Sequence, residues 1–258
     1  MYDVPEINSP LRFGAFALGQ QVDMWLAITR PNLLRSRSAN FTYLQNIICN
    51  MPKSKKEGDV MVKKRREYVD RDHDVMGDYY DLCERYNRKT AKTIKKQLKR
   101  LIEKDPDFLD SYLLLYQILQ DEGDLSEAEK ILDDAYERAL KLITDKKGNW
   151  PDVLEWGWLE NRHIIRTILN KAISLWENGE RDNALDLFRK LLKTNPADNV
   201  GARHYILAIR MNMSFEKFEK RFNKGGYYDM ELMEWFDRNY KKFPDEFGWW
   251  ETAVENYE

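Results

Sequence analysis

Residues 165–196 read IRTILNKAISLWENGERDNALDLFRKLLKTNP, and this stretch decides the fold class. Apolar residues fall at Ile165, Ile168, Leu169, Ala172, Ile173 and Trp176, then at Ala184, Leu185, Leu187, Phe188, Leu191 and Leu192. Both sets follow the i, i+3, i+4, i+7 rhythm of a helix with one buried face. Between them Asn178-Gly179 supplies a turn, because glycine takes the left-handed conformation that ends a helix. Asp182 is expected to cap the second helix by accepting from its free amides. Pro196 closes the unit, since it cannot continue a helix and pushes Asn195 out of the helical region. The stretch is a helix–turn–helix hairpin.

Working upstream, residues 109–143 form a second such unit, with Gly123 as the turn and Ser126 with Glu129 as an expected capping box. Gly123, Ser126, Ala128, Leu132 and Ala135 match Gly179, Asp182, Ala184, Phe188 and Leu191 at a constant offset of 56 residues. A repeat of about 34 residues interrupted by an insertion of about 22 accounts for that offset. The insertion contains KKGNWPDVLEWGWLE. Asp105-Pro106 stands where Asn195-Pro196 stands later, so residues 78–104 read as a degenerate earlier unit. Residues 200–222 read as an eroded third hairpin, and the helix after Gly225-Gly226, with Met230, Met233, Trp235, Phe236 and Tyr240, as a cap.

Further out, Ser9-Pro10 opens an apolar helix carrying Phe13, Phe16, Val22, Trp25 and Leu26. Phe41, Leu44, Ile47 and Ile48 mark a shorter helix, the polar run 53–59 an exposed loop, and residues 60–87 a heavily charged helical region. The expected division is therefore 1–58, an N-terminal helical segment; 59–107, a charged region with the degenerate first repeat; 108–143, a hairpin; and 144–164, a tryptophan-rich insertion. Residues 165–198 are the next hairpin, 199–224 the eroded one and 225–258 the cap and tail.

The totals agree with an all-α chain. Only 12 glycines and 8 prolines in 258 residues favour long helices over turn-rich strands, and a charged share of 33% suits thin two-layered packing better than one thick globule. The net charge of −2 gives no global pull toward nucleic acid or acidic membranes. Cys49 and Cys83 form no metal spacing and fit a reducing cytoplasm. No apolar run is long enough for a membrane span, and Gln20, Gln21 and Asp23 interrupt the only candidate signal segment.

With these residues in view, the chain resembles the tetratricopeptide repeat (TPR) family. The small residue of that repeat is matched by Ala128 and Ala184, its aromatic by Phe188 and its proline by Pro106 and Pro196. Two positions depart: Tyr116 replaces a small residue that Ala172 preserves, and Tyr112 and Ile168 stand where tryptophan is common. More narrowly, residues 159–207 resemble bacterial TPR proteins related to the suppressor-of-tumorigenicity-7 group. The carriers are Glu160-Asn161-Arg162-His163 and the run Asn195-Pro196-Ala197-Asp198-Asn199-Val200-Gly201-Ala202-Arg203-His204-Tyr205, with Asn161, His163 and the extra His204 as departures. The resemblance implies a helical-hairpin solenoid whose first helices line a concave binding face.

On that implied face lie Asp110, Leu113, Gln117, Gln120 and Asp121, then Arg166, Asn170, Ile173 and Glu177, then Val200, Arg203, Leu207 and Arg210. Acidic groups at one end and arginines at the other suit an extended peptide or helix held by charge pairing. The carboxylate clamp of chaperone-tail TPR domains is not expected, because only Asn170 of its five positions fits. Trp150, Trp156 and Trp158 are dense enough to anchor an interface, though packing of the insertion is the simpler role. Arg162, His163 and Arg166 suit an anion or, more simply, an internal carboxylate such as Glu160.

Asp70, Asp72, Asp74, Asp78 and Asp81 approach calcium-loop spacing, but Val75 stands where glycine is required. A solvated acidic stripe on one helical face is the expected reading. Residues 53–104 hold 17 Lys/Arg against 10 Asp/Glu, and Lys92, Lys95, Lys96, Lys99 and Arg100 cluster opposite an apolar stripe. That face suits phosphates, but no base-reading motif accompanies it. Three histidines and no nucleophile elbow, phosphate loop or HExxH give catalysis little support. The expectation is a non-catalytic scaffold for a protein or peptide, without cofactor, metal or membrane, with self-association as a secondary possibility. Nucleic-acid binding on the Lys92–Arg100 face is the alternative, and an enzyme with a non-motif active site the lesser one.

Overall fold

The computed structural model describes residues 65–224, 228 and 230–255. The expected helices before residue 50, the loop at 53–59, Cys49 and the Gly225-Gly226 turn lie outside the described residues. Within them every regular element is a helix: α1 (Met76–Arg85), α2 (Ala91–Lys104), α3 (Asp110–Asp121), α4 (Leu125–Ile143), α5 (Arg162–Glu177), α6 (Arg181–Thr194), α7 (Ala202–Arg210), α8 (Phe215–Phe222) and α9 (Met230–Asn239), then short α10 (Pro244–Phe247) and α11 (Trp250–Glu255). A 3₁₀ turn over Leu159–Asn161 leads into α5.

Successive helices pack as antiparallel-type hairpins, α3 on α4 and α5 on α6, and each hairpin stacks on the next through α4–α5 and α6–α7. The first helices α3 and α5 also touch, as do α1 and α3; for reference the first helices are called the inner layer and their partners the outer layer. The core follows the apolar rhythm read from the sequence. Ile165, Ile168, Ala172, Ala184 and Phe188 are all buried, as are Ala128, Leu132 and Ala135 in the equivalent unit. Gly123 and Gly179 both hold the left-handed φ (81° and 87°) that ends the first helix of each hairpin.

Three local expectations are corrected. The α4 cap is Asp124, whose side chain accepts from Glu127 N, and not Ser126. Asp182 lies in the first turn of α6, behind Glu180 at the cap position, which makes no side-chain cap bond. Residues 65–75 are irregular rather than helical, with one bridge at Glu67 and a turn at 74–75, so Asp70 and Asp74 do not share a helical stripe with Asp78. The cause is tertiary. Arg66 and Tyr68 pair with the insertion: Tyr68 N donates to Val153 O at 3.0 Å, and Asp152 N and Val153 N donate to Arg66 O at 2.8 and 3.2 Å. The Arg66 guanidinium also donates to Ile143 O at 3.1 Å and Asn149 O at 2.6 Å. The insertion is thus the docking rail for the irregular run.

Candidate functional site: the inner face and the α2 cleft

The irregular run delivers Asp70 to the start of α5. Asn161 fixes it there: its Oδ1 accepts from Asp70 N at 3.0 Å, while its Nδ2 donates to Tyr68 O at 2.9 Å and Glu155 O at 3.2 Å. Asp70 Oδ2 then meets two imidazoles, His163 Nε2 at 2.9 Å and His73 Nε2 at 3.1 Å. The other nitrogen of His73 faces Asp105 Oδ2 at 2.7 Å, and Asp105 also accepts from Arg71 at 2.8 Å. His73, His163 and Phe108 pack ring against ring, with centroids 4.9–5.5 Å apart.

The proton positions follow from the partners. His163 Nδ1 accepts from Leu109 N at 3.2 Å, so this nitrogen carries no proton and Nε2–H is the donor to Asp70. His73 has a carboxylate on each nitrogen, which calls for the doubly protonated form. Burial opposes that charge, but the bonds to Asp70 and Asp105 outweigh it and raise the His73 pKa. Burial likewise pushes the Asp70 carboxyl up, yet His163 and His73 together hold it below the usual carboxylate range. With His163 neutral, the cluster balances two carboxylates against His73 and Arg71.

Asp70, His73 and His163 bring three ligand-type atoms within 4.8 Å, a metal-like constellation. The Leu109 amide argues against that use. It consumes the Nδ1 lone pair, so His163 Nε2 keeps its proton and offers no lone pair to a cation. A metal-binding His normally donates its second nitrogen to an acceptor, the reverse of this arrangement. The cluster reads as a buried clasp joining residues 65–75 to α5 and the α2–α3 corner. Here Asp70 departs from the expected solvated stripe, while Asp72, Asp74, Asp78 and Asp81 are exposed.

The arginines expected to meet a partner on the inner face each have a carboxylate from this chain. Arg166 makes a two-point ion pair with buried Asp110, its Nε lying 2.9 Å from Oδ1. Arg203 pairs with Asp198 at 2.9 Å and lies 5.4 Å from the Phe236 ring centre and 5.3 Å from that of Trp250. Arg210 pairs with Glu246 at 2.9 Å and Asp245 at 2.7 Å. Asn170 is buried and donates to Arg166 O at 2.8 Å. Gln120 donates to Tyr116 Oη at 2.7 Å, and Asp121 accepts from Tyr86 Oη at 3.2 Å. Gln117 is half-buried and Glu177 exposed. Leu113, Ile173 and Leu207, expected to face a groove, are buried.

The segment 195–205 is a corner built for the same internal purpose. Asp198 takes the left-handed φ of 51° and accepts from Ala202 N at 2.7 Å and Arg203 N at 3.1 Å, satisfying the first amides of α7. Trp250 Nε1 donates to Pro196 O at 2.8 Å, tying α11 to this corner. His204 beside it is buried, and burial followed by the Arg203 charge pushes its pKa down to about 3.

The tryptophans divide by environment. Trp150 is partly buried against the core, with Lys190 Nζ 5.5 Å from its ring centre. Trp156 lies under two guanidiniums, Arg162 at 5.0 Å and Arg166 at 5.8 Å. Trp158 and Leu159 stay 45% and 52% exposed, with Trp158 Nε1 donating to Glu67 Oε1 at 2.9 Å. Arg162 donates to Trp156 O at 3.0 Å, and among the described residues it forms no ion pair with a carboxylate. Burial first, and the neighbouring Arg166 second, lower its pKa. It is also the first residue of α5, where the helix dipole disfavours a cation.

On the outer side, α2 buries Ile94, Leu98 and Leu101 and presents Lys92, Lys96, Lys99 and Arg100 to solvent. Among the described residues Lys95 is the one of this row that is ion-paired, with Glu122. Between α2 and the α3–α4 turn lies a cleft of about 650 Å³ lined by Lys95, Lys96, Lys99, Arg100, Glu103, Leu119, Asp124 and Glu127. The sequence marked the cations but not the cleft, since Leu119, Asp124 and Glu127 reach it only through the hairpin fold.

Among the described residues no helix is long and apolar enough to cross a membrane. In comparison with known proteins, no family model, curated protein sequence or solved structure matches the chain.

Proposed function

We propose that the chain is a non-catalytic scaffold of TPR-type helical hairpins that binds a protein or peptide. The repeat reading is supported by two hairpins with matched turns at a 56-residue offset and by first helices that touch in an inner layer. The observation that carries the binding role is the edge formed by Trp158, Leu159 and Arg162. Two large exposed apolar side chains there stand close in sequence to the half-buried Arg162, which feels the Glu160 charge but forms no ion-pair contact with a carboxylate of the described residues. Tryptophan and arginine are residue types enriched among interface anchors, and Leu159 adds exposed apolar area beside them. With Arg166, Arg203 and Arg210 internally paired, this edge takes over the partner-binding role that the sequence reading gave to them.

A binding role also fits the histidines. His73 and His163 are buried in the clasp, where a substrate has no approach to either ring. The test is quantitative co-purification from the source cells with wild type, Trp158→Ala/Leu159→Ala and Arg162→Ala baits. A specific protein enriched by wild type and depleted by at least one variant supports the reading. No protein enriched over a shuffled-surface bait, or an identical set with all variants, refutes it. The alternative, nucleic acid on the α2 face, is supported by the unpaired cations there and opposed by the three carboxylates that share the cleft.

A further inference from the structure

We infer that the cleft between α2 and the α3–α4 turn binds an acidic peptide segment of a partner protein. This rests on the reading of the chain as a protein-binding scaffold and adds a second surface, apart from the Trp158 edge. Lys95, Lys96, Lys99 and Arg100 fall within about one and a half turns, and like charges three and four residues apart destabilise a helix. Arg166 and Arg203 are each answered by a carboxylate of the chain, whereas Lys96, Lys99 and Arg100 have no ion-pair partner among the described residues. An acidic occupant supplies the missing countercharge.

The walls also select the class of occupant. Asp124 is spent on capping α4, its Oδ1 accepting from Glu127 N at 3.3 Å, and Glu127 lies 3.8 Å from Lys130. These two and Glu103 stand opposite or beside the cations, so a uniformly charged phosphate strand meets repulsion along one wall. A peptide varies its charge from residue to residue and places carboxylates toward α2 alone. Leu119 contributes an apolar patch to the lining for a small side chain. The volume of about 650 Å³ lies in the range of sites that take a small group such as one or two side chains.

The experiment is fluorescence anisotropy on the full chain with two probes, a fluorescein-labelled decapeptide alternating glutamate with small neutral residues and a labelled single-stranded oligonucleotide, at stepped salt. The variants are Lys96→Glu/Lys99→Glu/Arg100→Glu, the control Lys241→Glu/Lys242→Glu, and Trp158→Ala, each checked by circular dichroism. Saturable, salt-sensitive peptide binding that the α2 variant weakens by about tenfold or more, with the others within about twofold, is expected. Should the charge-reversed variant misfold, Lys96→Gln/Lys99→Gln/Arg100→Gln replaces it, with the same direction of change. Peptide binding unaffected by the α2 variants, or lost equally with Lys241→Glu/Lys242→Glu, overturns the inference. So does tighter binding of the oligonucleotide that the α2 variant abolishes, which assigns the face to nucleic acid. No binding of the peptide at all overturns the cleft, while partner capture through the Trp158 edge then leaves the scaffold reading standing.

Discussion

Arg166 and Arg100 carry the same guanidinium in opposite situations. On the inner layer Arg166, its side chain 11% exposed, is clamped by buried Asp110, and Arg203 and Arg210 repeat the pattern with Asp198 and with Glu246. On the outer layer Arg100, Lys96 and Lys99 stand exposed beside a cleft, without ion pairs among the described residues. A buried charge must be answered within the chain, because desolvation costs several kcal/mol per ion. An exposed charge is answered by water and remains available. Charge on the inner layer therefore serves cohesion and, on the proposal above, the α2 charges serve recognition. The sequence reading places the partner at the inner arginines and reads the α2 row first as a solvated face.

Substitutions separate the two layers by size of effect. Asp110→Ala leaves Arg166 mostly buried and unpaired and is expected to lower unfolding free energy by about 3–5 kcal/mol in urea denaturation. Asp110→Leu/Arg166→Met should recover most of that loss; a double variant as unstable as the single one would refute the pairing argument.

Next in size is an acid effect at His204. Its folded pKa of about 3 lies below the unfolded 6.5, so the unfolded chain takes up the proton first and stability falls as pH drops below 6.5. Between pH 6.5 and 5 the loss from this group is about 2 kcal/mol. His204→Leu should flatten that part of the pH profile, and an unchanged slope would show that the ring is not the source.

The clasp works in the other direction. The raised pKa of His73 means that its contribution is fully present below 6.5 and is lost as pH rises through the folded value. Asp70 and Asp105, both lowered, contribute above their unfolded 3.8 and lose that as pH falls through their folded values. The clasp is therefore strongest between those limits. His73→Gln should cost about 1.5 kcal/mol at pH 6 and less at pH 9, read from amide exchange of residues 70–75. Equal cost at both pH values would remove the charge from the account. The smallest effect is expected on the outer layer, where Lys96→Ala and Lys99→Ala should each change stability by less than about 0.5 kcal/mol. A larger loss there would make α2 structural and erase the contrast.

The hairpins were legible because their signal is local. Ile165, Ile168, Ala172 and Trp176 recur at helical spacing, and Gly179 ends the run, so no distant residue is needed to place them. The conformation of residues 65–75 was not legible. Asp70 and Tyr68 give up helical geometry for bonds to partners 85–93 residues away, and no periodicity encodes such partners. Capping failed for a similar reason on a smaller scale: Asp124 and Ser126 are both good cap types, and the turn at Gly123 selects the first. Of the site residues, Trp158 and Arg162 stood out in the sequence as dense aromatics and an arginine at a helix start. That Arg166 was taken by Asp110 rested on two side chains 56 residues apart.

The pairing of Arg66 and Tyr68 with Asp152 and Val153, reinforced by Asp70 on His163, closes a ring of chain around α1–α4. A ring so closed need not be covalently continuous. Cleavage at the exposed Gly123 turn would divide the polypeptide between α3 and α4, yet the leading fragment would still hold the trailing one through this seam and through the α3–α4 and α3–α5 packing. Such a nicked protein should migrate as one species under native conditions and as two only after denaturation. The first and second halves of the hairpin array are in that sense two complementary pieces, each carrying the other's missing side.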